Sequence, residues 1–164
     1  MPITVDTRKS SLRIFLWFVL LFCLAVLTKL IVFKWSFGYL KDHFLHHYNW
    51  ALVKASFQHV NLKPFATISL YLNSQLRAEY ATSNLLGNIA GFIPLGILLP
   101  LLFKKLRTAF RTIAMVFLFS LAFEIAQLLL ILGVFDVDDL LLNTLGGAIG
   151  YGLFALLRKM VQLV

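Results

Sequence analysis

Four stretches of the chain stay apolar long enough to cross a bilayer, and the polar positions inside and between them carry the rest of the reading. The first runs from about 13 to 33, after a basic start at Arg8, Lys9 and Arg13. It is close to the ~20 residues a spanning helix needs, and no small-x-small cleavage site follows it, so the pattern predicts a retained first helix. Lys29, near its far end, reads as an anchor whose long stem lets the charge reach the interface. The other spans are predicted at 84–103, 112–132 and 138–157. Thr82 or Ser83 is placed to cap the second, and Pro94 is expected to kink it.

The segment from Lys34 to Ser83 is polar enough to leave the bilayer, yet unusually aromatic. Phe37, Leu40, Phe44, Tyr48, Ala51, Leu52 and Ala55 recur at helical spacing, which predicts an amphipathic helix at the membrane surface. His43 and His47 are i, i+4 partners with His46 and His59 nearby. No third ligand stands at a useful spacing, so the pattern predicts interfacial histidines and no metal site. Asn61 to Phe65 reads as extended backbone, because Pro64 disfavours helix at the residue before it. A short helix is expected around Thr67 to Leu72.

Composition turns these spans into a class. Of the 164 residues, 60% are hydrophobic and 13% charged, and the mean hydropathy of +0.87 is far above that of an average soluble domain. The expectation is an all-α membrane protein: a four-helix transmembrane bundle with an extracellular amphipathic segment between helices one and two. Residues 1–164 should form a single domain. Cys23 is the only cysteine, so no intramolecular disulfide forms.

Charge then orients the bundle. In a four-helix count the N-terminal segment, the Lys104 to Arg111 loop and the C-terminal Arg158 and Lys159 fall on one side, with nine of the fifteen Lys and Arg residues. The positive-inside rule makes that side, and both termini, cytoplasmic. The net charge of +8 is therefore mostly a topology signal with some attraction to anionic lipid. Nucleic-acid binding is excluded, because the basic residues form no continuous footprint.

Within the spans, Ser120, Glu124 and Gln127 put a polar stripe on one face of an apolar helix. An ionisable side chain in a spanning helix costs about 2.5 kcal/mol or more and is a functional-site candidate by default. With the topology above, Asn84 and Asn88 on helix two and Asp136, Asp138, Asp139 and Asn143 at helix four should lie at the same depth. Glu124 and Asp139 are the candidate catalytic residues; Asn84, Asn88, Gln127, Asp136, Asp138 and Asn143 are candidate ligand-binding residues. One of Asp136 and Asp138 also suits the N-cap of helix four. Gly87 and Gly91, and Gly146, Gly147 and Gly150, are placed for close helix approach.

At these residues the chain resembles the VanZ-like family, named for a protein associated with teicoplanin resistance. The resemblance rests on Asn61-Leu62-Lys63-Pro64-Phe65 with Thr67-Ile68, on Asn84-Leu85-Leu86-Gly87-Asn88 with Phe92-Ile93-Pro94-Leu95-Gly96, and on Glu124-Ile125-Ala126-Gln127. It continues through Asp136-Val137-Asp138-Asp139, Asn143, Gly146, Gly147, Gly150 and Tyr151. It implies a small multi-pass protein of the bacterial cell envelope. Two functions follow as expectations. One is an outward-facing polar pocket that holds a membrane lipid headgroup or a lipid-linked cell-wall precursor and alters glycopeptide susceptibility. The other is an intramembrane hydrolase or transferase acting on a phospholipid or polyprenyl phosphate through Glu124 and the Asp136–Asp139 turn. The polar pattern names no cofactor.

Overall fold

A computed structural model describes the backbone of residues 7–73 and 78–162, with side chains described for 10–71 and 83–160. Seven α-helices follow one another among the described residues: α1 Thr7–Leu27, α2 Phe37–Asp42, α3 Trp50–Ser56, α4 Ala66–Asn73, α5 Ala78–Leu102, α6 Ala109–Leu130 and α7 Val137–Gln162. The fold is all-α, with four helices long and apolar enough to cross a membrane: Ser10–Val32, Ser83–Leu102, Ala109–Leu130 and Val137–Met160. These lie within a few residues of the predicted spans. α1 ends in a π-helical turn, Thr28–Val32. There Lys29 Nζ donates to the carbonyls of Phe33, at 2.5 Å, and Trp35, at 3.2 Å, so the anchoring lysine also closes the helix end.

The bundle is built around the pair α5 and α7, which pack together more extensively than any other two elements. Glycine makes this possible. A Cβ on Gly146 would strike the Ile89 carbonyl, one on Gly150 the Ile93 carbonyl, and one on Gly96 the Gly147 carbonyl. The two backbones therefore touch directly, as small residues allow in membrane helices. Gly147 faces α6 instead, where its Cβ would meet Val116 Cγ1 at 2.5 Å. Gly91 sits against Leu27 of α1, while Gly87, also expected to assist packing, has nothing within 4 Å. Phe92, Leu95, Leu99 and Val116 are fully buried beside this seam. By contrast α1 is peripheral: Phe15, Phe18, Leu21 and Phe22 are all more than half exposed, a surface suited to lipid.

Two expectations change. α5 begins at Ala78, so Thr82 and Ser83 lie inside its first turns and not at its N-terminus. Pro94 and Pro100 both stand inside α5. The predicted amphipathic helix is two helices, because Asn49 adopts an extended backbone and its side chain accepts the Leu52 N–H, starting α3 afresh. Periodicity survives that break, which is why it reads as continuous in the sequence. Phe37, Phe44, Tyr48, Trp50 and Leu52 remain exposed, an aromatic surface of the kind found at membrane interfaces.

The segment that carries α2 and α3 is fastened to the C-terminal end of α6. Ile131 adopts a left-handed conformation (φ 56°) and ends that helix, leaving its last carbonyls without helical partners. Side chains supply partners for two of them, His43 Nε2 bonding to Leu130 O at 2.9 Å and Tyr48 OH to Leu129 O at 3.2 Å, and Trp35 Nε1 bonds to Leu132 O just beyond the helix at 3.0 Å. His43 is thus a buried helix-capping residue, whereas His47 turns away to an exposed contact with Asp42 at 3.3 Å. The two histidines do not share a site.

Candidate functional site

The turn into α7 is where distant parts of the chain meet. Asn61 pairs with Asp136 through the backbone, its N–H donating to Phe135 O at 2.8 Å and its carbonyl accepting from Val137 N at 3.0 Å. Asp136 caps α7: its Oδ1 accepts the Asp138 N–H at 2.8 Å. The same oxygen accepts from Asn61 Nδ2 at 2.9 Å, and Oδ2 accepts from Thr67 Oγ1 at 2.5 Å. Asp138 is fully buried and points the other way, onto the start of α4. Its oxygens accept from the backbone N–H groups of Phe65 at 2.6 Å, Thr67 at 2.8 Å and Ile68 at 3.0 Å. A carboxylate there satisfies N–H groups that no helical carbonyl can reach, and its charge suits the helix dipole.

Beside this cluster lies a cavity of about 400 Å³. Seven of the eight residues singled out by the polar pattern line it: Asn84, Asn88, Glu124, Gln127, Asp136, Asp139 and Asn143. Asp138 does not, because both its oxygens are committed to α4. Glu124 is 1% exposed, and its Oε2 accepts the Asp136 N–H at 3.0 Å. Asp139 Oδ1 accepts from Asn88 Nδ2 at 2.5 Å. Gln127 donates through Nε2 to Ile31 O at 2.9 Å, which fixes the end of α1 to α6. Asn84 Nδ2 bonds to Tyr71 OH at 3.1 Å. At the innermost position Asn143 Nδ2 donates to Ser120 Oγ at 2.9 Å, and Asn143 Oδ1 is buried without a partner.

Sequence reasoning missed four contributors. Lys34, Trp35, Thr67 and Tyr71 also line the cavity, all from the segment read as an interfacial surface. Thr67 and Asn61 stood in the motifs quoted for the resemblance, which is the one signal that pointed to them. Lys34 brings a cation to a cavity with three carboxylates, and its ammonium also stands 5.9 Å from the centre of the Trp35 ring. Among the described residues no three His, Cys, Asp or Glu side chains are disposed to hold a metal ion.

The cavity oxygens share one property. The amide groups of Asn88 and Gln127 both spend an N–H on protein acceptors, which leaves their carbonyl oxygens as acceptors. With Glu124 and Asp139 added, the cavity offers many acceptors and, in Lys34, one strong donor. It is therefore shaped to receive a group that donates hydrogen bonds.

Comparisons with known proteins agree with this architecture. A family model described as VanZ/LLP1 matches residues 17–158, nearly the whole chain. Protein VanZ of Enterococcus faecium is 38% identical over 82 residues, covering 48% of this chain and 50% of that protein, so the aligned part spans about half the length of that relative. No solved structure matches the chain. Four apolar spans, an acidic turn and the match over 17–158 together make the assignment: the chain is a multi-pass membrane protein that belongs to the VanZ/LLP1 family.

Proposed function

We propose that this VanZ-like protein of the bacterial envelope binds a membrane lipid headgroup or a lipid-linked cell-wall precursor in the cavity between α5, α6 and α7, and thereby alters susceptibility to teicoplanin-type lipoglycopeptides. The observation that carries the reading is the acceptor-rich cavity at the acidic end of the bundle. Its oxygens suit the hydroxyl and ammonium groups of headgroups and precursors, and Lys34 can meet a phosphate. The basic residues at Arg8 to Arg13, Lys104 to Arg111 and Arg158–Lys159 support, by the positive-inside rule, a topology with both termini cytoplasmic and the cavity on the outer side. The bonds that tie the segment between α1 and α5 to α6 and α7 support reading residues 1–164 as one domain.

The test is a susceptibility assay in a bacterial host that lacks the protein. Wild-type chain should raise the teicoplanin concentration that stops growth, while Asp139→Asn and Glu124→Gln should accumulate normally and fail to do so. Full protection by both variants would remove the site. Orientation is checked separately by reporter fusions at Lys105 and at His47, which should report opposite sides.

A second reading has its own observation. Glu124 and Asp139 both line the cavity, and each receives one hydrogen bond among the described residues, so an oxygen of each is open for acid or base work on a phospholipid or polyprenyl phosphate. Turnover of such a lipid by purified protein, lost in Glu124→Gln, would favour this reading over binding alone.

A further inference from the structure

At the opposite end of the bundle a second cavity, about 600 Å³, opens between α1 and the end of α5. Its walls are divided by chemistry. Leu12, Leu16, Leu101 and Leu102 form an apolar side, and Arg13, Lys104, Lys105 and Arg107 form a cationic one. Among the described residues no acidic side chain lines it. Among the residues with described side chains, the acids are Asp42, Glu124, Asp136, Asp138 and Asp139, all in α2 or at the other end of the bundle.

The cations are held together by the fold. The loop from Phe103 to Thr108 is pinned by the buried Thr112 hydroxyl on Leu106 O, by Arg111 Nη1 on Lys105 O at 3.1 Å and by Tyr151 OH on Arg107 O at 3.1 Å. Arg107 Nε reaches back to Pro100 O at 3.4 Å. Trp17 and Phe103 meet edge to face, centroids 5.3 Å apart, and join α1 to the end of α5. Among the described residues the side chains of Arg13, Lys104 and Lys105 have no hydrogen-bond or ion-pair partner. Positive-inside topology accounts for basic residues at this end. It does not account for four of them lining one groove with leucine walls, an arrangement that favours an anionic, partly apolar occupant.

We propose that this groove is a binding site for one anionic phospholipid of the adjoining leaflet, its phosphate held by Arg13, Lys104 and Lys105 and an acyl chain lying along Leu12, Leu16 and Leu101. A basic pocket between spanning helices selects acidic headgroups by charge, and the leucine wall supplies the contact that a soluble anion lacks. The site is separate from the acidic-end cavity and does not depend on what that cavity binds.

The experiment is a lipid titration of the full-length protein in mild detergent, read by native mass spectrometry, with phosphatidylglycerol, cardiolipin and phosphatidylcholine as probes. One anionic lipid should remain bound where phosphatidylcholine is lost. A triple change of Arg13, Lys104 and Lys105 to Gln should weaken retention on the order of a hundredfold, taking roughly fivefold per cation near an anionic surface. The matched triple change of Lys41, Lys54 and Lys63 to Gln, at the other end, should leave it intact. Leu16→Trp fills the groove and keeps every charge, so it should also lower retention; helicity and a single gel-filtration peak verify that each variant is folded. Equal retention of phosphatidylcholine and anionic lipid by the wild type would overturn the proposal. So would equal losses in the two triple variants, or full retention in Leu16→Trp.

Discussion

Four carboxylates gather at the acidic end, Glu124 on α6 and three aspartates at the start of α7, and they divide into two pairs by the donors around them. Asp136 and Asp138 are saturated: one gathers Asn61, Thr67 and the start of α7, and the other holds three N–H groups at the start of α4. Glu124 and Asp139 each receive a single hydrogen bond among the described residues and line the cavity. Residue type alone does not separate structural acids from available ones. What separates them is how many donors the fold has already brought to each oxygen.

The sharpest test of this division is Asp138→Ala. It strands three donors in the interior, each costing about 1–3 kcal/mol, so the protein should fail to accumulate or lose most of its thermal stability in detergent. Asp138→Asn, which keeps one acceptor, should fall between that variant and wild type. Next in size is Gly150→Ala, whose methyl meets the Ile93 backbone and should cost about 1–3 kcal/mol as overpacking. Gly152→Ala, with nothing within 4 Å, should be neutral or slightly stabilising. His43→Phe preserves the ring and removes the bond to Leu130 O; a loss of about 1 kcal/mol is expected, measured as a lower unfolding midpoint.

The smallest effect on stability belongs to the open pair. Asp139→Asn keeps an oxygen for Asn88, and Glu124→Gln keeps one for the Asp136 N–H, so both should unfold within about 0.5 kcal/mol of wild type. Removing a charge from a spanning helix can even raise the midpoint. If either proves as disruptive as Asp138→Ala, the distinction between saturated and open carboxylates collapses.

Hydropathy made the four spans legible, since a bilayer imposes a length on any helix that crosses it. The Ser120–Glu124–Gln127 stripe was legible for a related reason: polar groups in such a helix must face protein. The roles within the acidic turn were not. Asp138 and Asn143 carry the same promise in sequence, yet Asp138 is consumed by backbone donors some seventy positions earlier. Side-chain spacing gives no account of backbone N–H groups, and Phe65, with its left-handed φ of 65°, offers no glycine to mark the turn that presents them. Lys34 escaped notice because it sits just beyond the first span, where a lysine is ordinarily an anchor.

The backbone pairing of Asn61 with Asp136 has a consequence for how the chain can be divided. Many of the bonds that assemble the acidic end join something before the Lys104–Leu106 turn to something after it: Asn61 and Thr67 to Asp136, Phe65 to Asp138, Asn88 to Asp139, Ile31 to Gln127. The glycine seam joins the same two sides, α5 to α7. The molecule therefore consists of two interlocking halves, each carrying the other's missing partners. Expressed as separate polypeptides cut between Lys105 and Leu106, they should find one another in the membrane and purify together.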